Sequence, residues 1–111
     1  MDCVFCKIAS GEIPSTKVYE DDVCVAFKDL EPQAPVHVLL IPRTHIASAA
    51  DITPENSAIV AHIFEVAAKI AKEQGLEGWR IVSNVGKDGG QTVMHLHFHL
   101  LGGRSMAWPP G

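Results

Sequence analysis

The sequence predicts an α+β domain: a five-stranded, mostly antiparallel sheet with one long helix and a short N-terminal helix. Three observations carry this expectation. Five short segments rich in β-branched and aromatic residues are joined largely by hairpin-length loops. A single stretch, within residues 54–74, repeats its apolar residues at helical spacing. The chain has 111 residues, 47% of them hydrophobic, which suits one domain spanning 1–111 with its own core and a C-terminal tail at 102–111.

Residues 3–9 read as a short helix that stops near Gly11, and Ile13-Pro14-Ser15 as a loop. Lys17–Glu20 and Val23–Lys28 form an expected hairpin around Asp21-Asp22. Glu31-Pro32-Gln33-Ala34-Pro35 cannot be regular, because its two prolines remove donors and fix φ. Val36–Ile41 is a third strand, ended by Pro42. Thr53 is placed to cap the long helix, Pro54 suits its first turn, and Glu55 favours the positive end of its dipole. Ile59, Val60, Ile63, Phe64, Ala67, Ile70 and Ala71 then share a face, His62 lies near the edge of that stripe, and Gly75 is the stop. The helix so drawn has about 21 residues and a length of about 31 Å. Trp79–Val85 is a fourth strand, Gly86–Gly90 a turn, and Val93–Leu101 a fifth strand.

Charge and cysteine usage exclude several classes. The formal charge is −4, and no Lys/Arg block exists to neutralise a polynucleotide or an anionic membrane. No apolar run approaches the ~20 residues that span a bilayer. The start, MDCVFCKIAS, lacks the basic and apolar regions of a secretory signal. Three cysteines, an odd number, fit a reducing cytoplasm better than a disulfide framework. Cys3-x-x-Cys6 reads as a redox pair or half a metal site, and no strand precedes it as a thioredoxin-type motif requires. Cys24, within Val23-Cys24-Val25-Ala26-Phe27, reads as a small buried apolar residue.

Six histidines stand out, and three occupy five residues in Met94-His95-Leu96-His97-Phe98-His99-Leu100-Leu101. On a strand, His95, His97 and His99 share one face at a spacing of roughly 7 Å, while Leu96, Phe98 and Leu100 point to the helix. Three neighbouring imidazoles cannot all be charged cheaply, so at least one is neutral near pH 7. That suits a solvated polar face least, and a metal site or a nucleophile acting on phosphorus equally well. Gly89-Gly90-Gln91-Thr92, just upstream, offers amides and a hydroxyl to an anion.

His95-Leu96-His97-Phe98-His99-Leu100-Leu101 resembles the signature of the histidine-triad superfamily. The flanking Gly89–Thr92 and Leu101–Gly111, Val4–Ile8, Phe27–Leu30 and Pro32–His37 are similar to the Hint branch, so the resemblance spans essentially the whole chain. It implies a purine-nucleotide-binding phosphoramidase, cleaving adenosine 5′-phosphoramidates and AMP linked to lysine, in a homodimer whose two sheets join. It implies His97 as nucleophile and His99 as the companion that contacts phosphate and helps deliver a proton. Thr92 stands where relatives have a serine beside the leaving group. Asp29 would bind the ribose hydroxyls, Phe5, Phe27 and Leu30 would surround the purine, and Asn84, Gly90 and Gln91 would line the phosphate. Trp108 would reach the partner's site, and His37 would orient the triad.

Some relatives, and the related galactose-1-phosphate uridylyltransferases, pair such a Cys-x-x-Cys with two histidines to hold zinc. Carried over, the ligands are Cys3, Cys6, His45 and His95, a sound tetrahedral set with a structural role. No acidic metal cluster is visible, which agrees with catalysis that requires no metal. Two other readings stand beside the phosphoramidase: a nucleotide-binding regulatory module with vestigial catalysis, and a dinucleoside polyphosphate hydrolase.

Overall fold

Residues 3–111 are described in a computed structural model of the chain. The elements run α1 (Val4–Ser10), β1 (Lys17–Glu20), β2 (Cys24–Lys28), β3 (Val36–Pro42), a 3₁₀ turn (Ala49–Asp51), α2 (Ser57–Glu73), β4 (Trp79–Val82) and β5 (Phe98–Gly102). The sheet order is β1-β2-β3-β5-β4, and every neighbouring pair is antiparallel. The expected α+β class and strand number therefore hold.

Strand alternation divides the apolar residues between two cores. Cys24 and Ala26 of β2, Val38 and Leu40 of β3, and Phe98 and Leu100 of β5 pack with Ile63, Val66, Ala67 and Ile70 of α2. On the other face, Val25, Phe27, Leu39 and Ile41 pack with Cys3, Phe5, Ile8 and Ala9 around α1. Each buried Ile or Leu contributes about 1.5–3 kcal/mol, so both helices are held mainly by these faces. Arg43 adds a polar tie across the second layer: it donates to Ala9 O (2.7 Å), to Asp21 O (2.6 Å) and to Glu20 Oε1 (3.4 Å). Cys24 is fully buried, and burial pushes its thiol up to about 12, with the Asp21 carboxylate adding to the effect. It behaves as the apolar residue its surroundings in sequence imply.

Three boundaries differ from expectation by more than one residue. The long helix starts at Ser57, not Pro54, and has 17 residues. Asn56, rather than Thr53, is its first flanking residue, and its side chain reaches backward. Asn56 Oδ1 accepts from Thr53 N (2.8 Å) and Nδ2 donates to Asp51 O (3.2 Å), which fixes 53–56 as a separate turn. The buried stripe is Ile63, Val66, Ala67, Ile70 and Ala71, so Val66 joins it, while Phe64 stays half exposed against Phe98. The expected stop is as drawn: Gly75 has φ +70, its N–H reaches Lys72 O and that of Leu76 reaches Ala71 O, the Schellman pattern. β4 ends at Val82 instead of Val85, and β5 begins at Phe98 instead of Val93. Here the backbone finds other partners: Leu96 N–H donates to Ile46 O (2.6 Å), and the Ser83 hydroxyl donates to His97 O (3.1 Å).

The β1–β2 hairpin is organised by one carboxylate. Asp21 Oδ1 accepts from the N–H groups of Val23 (2.8 Å) and Cys24 (2.9 Å), and Oδ2 from Tyr19 (2.8 Å) and from His62 Nε2 of α2 (2.6 Å). His62 is thus a clasp between helix and hairpin, not a plain surface histidine. Burial alone would raise the Asp21 carboxyl, but the bonds from Cys24, His62, Val23 and Tyr19 outweigh it and hold it well below the usual carboxylate range. A carboxyl lowered on folding adds stability above its unfolded value of about 4, and that stability is lost as pH falls through the folded value. Asp21→Ala is therefore expected to cost about 2–3 kcal/mol at neutral pH and to flatten the acid limb of stability against pH. Urea unfolding from neutral to acid pH checks it, and an unchanged midpoint at pH 7 would count against the clasp.

Candidate functional site

The histidines arrive by two routes. His37 on β3 and His99 on β5 lie on the α1 side of the sheet, and the register pairs His37 with Leu101 and Leu39 with His99. The two histidines are thus diagonal neighbours. Their ring nitrogens, His37 Nε2 and His99 Nδ1, lie 2.9 Å apart. His95 and His97 sit in the irregular run before β5, not on the strand where the alternation puts them. The irregular run nonetheless keeps Leu96 in the α2 core, and the rings of His97 and His99 lie 5.2 Å apart. Phe5 of α1 packs edge-on against this row, at 5.1 Å from His97, 6.0 Å from His95 and 5.7 Å from Phe27.

Hydrogen-bond partners fix two protonation patterns. A carbonyl only accepts, so the contact of 2.8 Å between His97 Nδ1 and His95 O makes Nδ1 the donor and leaves Nε2 with the lone pair. By the same logic His95 Nε2 donates to Pro42 O (2.8 Å) and its Nδ1 carries the lone pair. His97 is only 5% exposed, so its free lone pair is sheltered from bulk water. Burial, with His97 and His37 nearby, pushes His99 down to about 4 against the pull of Asp29. His37 and His95 are also lowered, chiefly by burial. His37, His95 and His99 are therefore neutral at pH 7.

That lone pair of His95 faces three more ligands. Its Nδ1 lies 3.1 Å from Cys3 Sγ, 3.5 Å from Cys6 Sγ and 3.1 Å from His45 Nδ1, and Cys6 Sγ lies 3.4 Å from His45 Nδ1. The four ligand atoms all lie within 4.8 Å of one another and could hold a metal ion. Cys3 is also the N-cap of α1, where its sulfur accepts from Cys6 N–H (3.3 Å), so the helix start sets the Cys-x-x-Cys spacing.

The remaining predicted residues divide. Asp29 is next to His37, with Oδ2 3.4 Å from His37 Nε2 and Oδ1 accepting from Glu31 N (2.8 Å). Phe5 and Phe27 are buried and wall the site. Leu30 is 97% exposed and packs on no wall in this chain. The Gln91 side chain is buried and spent on the loops, accepting from Gly86 N (3.0 Å) and donating to Ala47 O (2.8 Å) and Val93 O (3.0 Å). Gly90 has φ +80 in that loop, Thr92 is exposed beside it, and Asn84 is partly exposed after β4. Trp108 is 82% exposed on the tail. Sequence reasoning missed Ser83 and the Pro42 carbonyl, because a single hydroxyl or a main-chain oxygen carries no sequence pattern.

The fold and this row of imidazoles define a histidine-triad protein. Residues 2–108 match the family described as scavenger mRNA decapping enzyme C-term binding. An uncharacterized HIT-like protein of Synechococcus elongatus is 55% identical over 99% of this chain and 97% of its own length. A 14 kDa zinc-binding protein of Brassica juncea is 49% identical over 99% of this chain and all of its own. The crystal structure of a HIT family hydrolase from Legionella pneumophila superposes with TM-score 0.97 at 53% identity, over 99% of this chain and 100% of that one. A zinc-bound histidine-triad protein from Mycobacterium smegmatis gives 0.80 at 38%, over 94% and 76%. The chain belongs to the histidine-triad superfamily.

The lowered histidines have a thermodynamic consequence. As pH falls from about 6.5, the unfolded chain takes up protons that folded His99 refuses until about 4. Stability is therefore expected to fall across that window, and less steeply in His99→Asn. Unfolding midpoints measured at several pH values check the slope, and identical slopes would contradict a buried, neutral His99.

Proposed function

We propose that the chain is a purine-nucleotide-binding hydrolase that cleaves the P–N bond of nucleoside 5′-phosphoramidates, including AMP joined to an amine or to lysine. One observation carries the reading: the His95 carbonyl holds the Nδ1–H of the buried His97, so the tautomer it selects has its lone pair on Nε2, the nitrogen of a nucleophile. In the first step His97 Nε2 forms a bond to phosphorus, the P–N bond breaks, and the amine leaves. The departing nitrogen needs a proton, delivered at His99 or at the Thr92 hydroxyl. In the second step water attacks phosphorus, the His97–phosphorus bond breaks, AMP is released, and the water's proton returns to the donor. Asp29 is assigned to the ribose hydroxyls and Phe5 and Phe27 to the purine. Asn84 and the amides around Gly90 and Gln91 are assigned to the phosphate, Gln91 through the loop its side chain braces. The name of the Legionella relative supports a hydrolase.

Zinc is the ion that fits the four-ligand cluster. At about 2.3 Å from sulfur and about 2.0–2.1 Å from nitrogen, its tetrahedral ligand–ligand edges are about 3.3–3.8 Å. The spacings of 3.1–3.5 Å already approach these edges. Pro42 O, accepting from His95 Nε2, supplies the usual outer partner. Four protein ligands leave no open position, so zinc here would tie α1 to the triad and take no part in the reaction. The zinc-binding name of the Brassica relative and the zinc-bound Mycobacterium structure support it.

The dimer is supported by the outer edge of β4, which pairs only with β5, and by a hollow of about 610 Å³ beside it, between Leu76, Trp79, Arg80, Arg104 and Met106. A second copy pairing there would join the two sheets and bring its Trp108 toward this subunit's site.

His97→Ala is expected to lower turnover of adenosine 5′-phosphoramidate by at least ~10³-fold, with diadenosine polyphosphates turned over poorly by the wild type. Wild-type turnover in the variant would sink the nucleophile assignment, and a wild type that binds AMP without turnover would favour a regulatory module. Protein purified without added metal is expected to hold about one equivalent of zinc by elemental analysis, and Cys6→Ser to lose most of it. Less than about a tenth of an equivalent in the wild type would remove zinc from the proposal.

A further inference from the structure

The Gln33 peptide, between the two prolines of the loop after β2, is held on both sides. Its N–H donates to His37 Nδ1 (3.0 Å), and its carbonyl accepts from Arg104 Nε of the C-terminal tail (3.0 Å). The Gln33 amide also donates to Glu31 O (3.0 Å), closing the turn. Gly103 brings the tail against the same loop: it has φ +92, and a Cβ there would lie 2.9 Å from Pro35 Cβ. The tail therefore grips the loop at two adjacent points.

One main-chain donor sets the protons of two rings. A main-chain N–H can only donate, so His37 Nδ1 is the lone-pair nitrogen and the proton of the neutral ring is on Nε2. That N–H points at His99 Nδ1 (2.9 Å) and at Asp29 Oδ2 (3.4 Å). His99 Nδ1 therefore accepts, and its own proton is on Nε2. Both rings are neutral near pH 7, because burial lowers His37 and brings His99 to about 4. Asp29, His37 and His99 are a poor cation site in this state, although their ligand atoms converge. The His37 nitrogen facing that point carries a hydrogen.

We propose that the Gln33 peptide, clamped by Arg104, is a positioning element that sets His37, and through it His99, in the Nε2–H form. His97 is set the opposite way by the His95 carbonyl. Two imidazoles 5.2 Å apart thus present a lone pair on one Nε2 and a hydrogen-bond donor on the other. An attacking nitrogen and a donor to the phosphate or the leaving nitrogen need that pairing. The inference rests on the phosphoramidase reading only for the use made of the donor.

Long-range proton–nitrogen correlation spectra of the full chain, labelled with ¹⁵N-histidine and recorded near pH 8, read the tautomers directly. His37 and His99 are expected as single Nε2–H tautomers and His97 as Nδ1–H. Gln33→Pro deletes the donor, and Arg104→Met removes the clamp but keeps an apolar stem. Each is expected to mix the tautomers of His37 and His99 and leave His97 unchanged. Should Gln33→Pro not fold, the wild type and Arg104→Met decide. An Nδ1–H form of His37 or His99 in the wild type, or wild-type spectra from a folded variant, overturns the proposal. Phosphoramidate turnover is measured on the same samples. Expected tautomers without turnover overturn the phosphoramidase reading alone, and turnover with His99 as Nδ1–H overturns the positioning alone.

Discussion

Much of the site follows from where the backbone groups of residues 95–97 find their partners. Had β5 continued to Val93, those groups would have joined the ladders of β3 and β4. Instead Leu96 N–H goes to Ile46 O, His97 O takes the Ser83 hydroxyl, and His95 O takes the imidazole of His97. A buried peptide group left unpaired costs about 1–3 kcal/mol, so pairing these three groups elsewhere offsets much of the cost of the departure. Two results follow from this one departure. His95 swings toward the loop after β3, where its ring reaches His45 and the cysteines, and His97 is locked with its lone pair outward from the carbonyl that holds it.

The legible parts of the fold are those set by local pattern. Alternation correctly assigned Leu96, Phe98 and Leu100 to the α2 face, even though the strand covers only the last two. Burial of an apolar face outlasts the ladder, so the pattern survives where the hydrogen bonds do not. Gly75 stopped the helix because only a positive φ closes that motif. What stayed hidden depends on contacts across the fold. Asn56 looks like a helix residue until its side chain is seen tying down Asp51 and Thr53. His62 looks like surface until Asp21, 41 positions away, accepts its proton at 2.6 Å. Leu30 joins a motif in sequence yet lies open to solvent, because its loop turns out from the sheet.

The candidate site was legible to the extent that it is a motif. The four ligands Cys3, Cys6, His45 and His95 came from resemblance, and their convergence is a matter of tertiary geometry: α1 and the loop after β3 bring residues 92 positions apart within 3.1 Å. The protonation pattern was invisible, since it rests on main-chain atoms of His95, Pro42 and Gln33. It also revises what the net charge of −4 implies. An acidic chain is a poor host for a phosphate if attraction must come from cations. On the proposed function, recognition falls to directed N–H donors, which act over a few ångströms and are indifferent to the sign of the whole.

Both ends of the chain bear on this arrangement, and they do so from opposite sides. The N-terminal cysteines meet His95, whose carbonyl holds His97, and Phe5 from the same helix packs against the His97 ring. The C-terminal tail meets Gln33, whose N–H holds His37, which meets His99. Each end thus acts one ring away from a triad histidine. The two ends differ in how they are held: the tail beyond Gly102 is largely exposed, while α1 buries Phe5, Ile8 and Ala9 in the second core. A loosened end would therefore cost little of the α2 core while releasing one imidazole from its set tautomer. On the proposed mechanism, losing one tautomer removes the difference between attacker and donor, so both chain ends bear on the chemistry through the rings they hold.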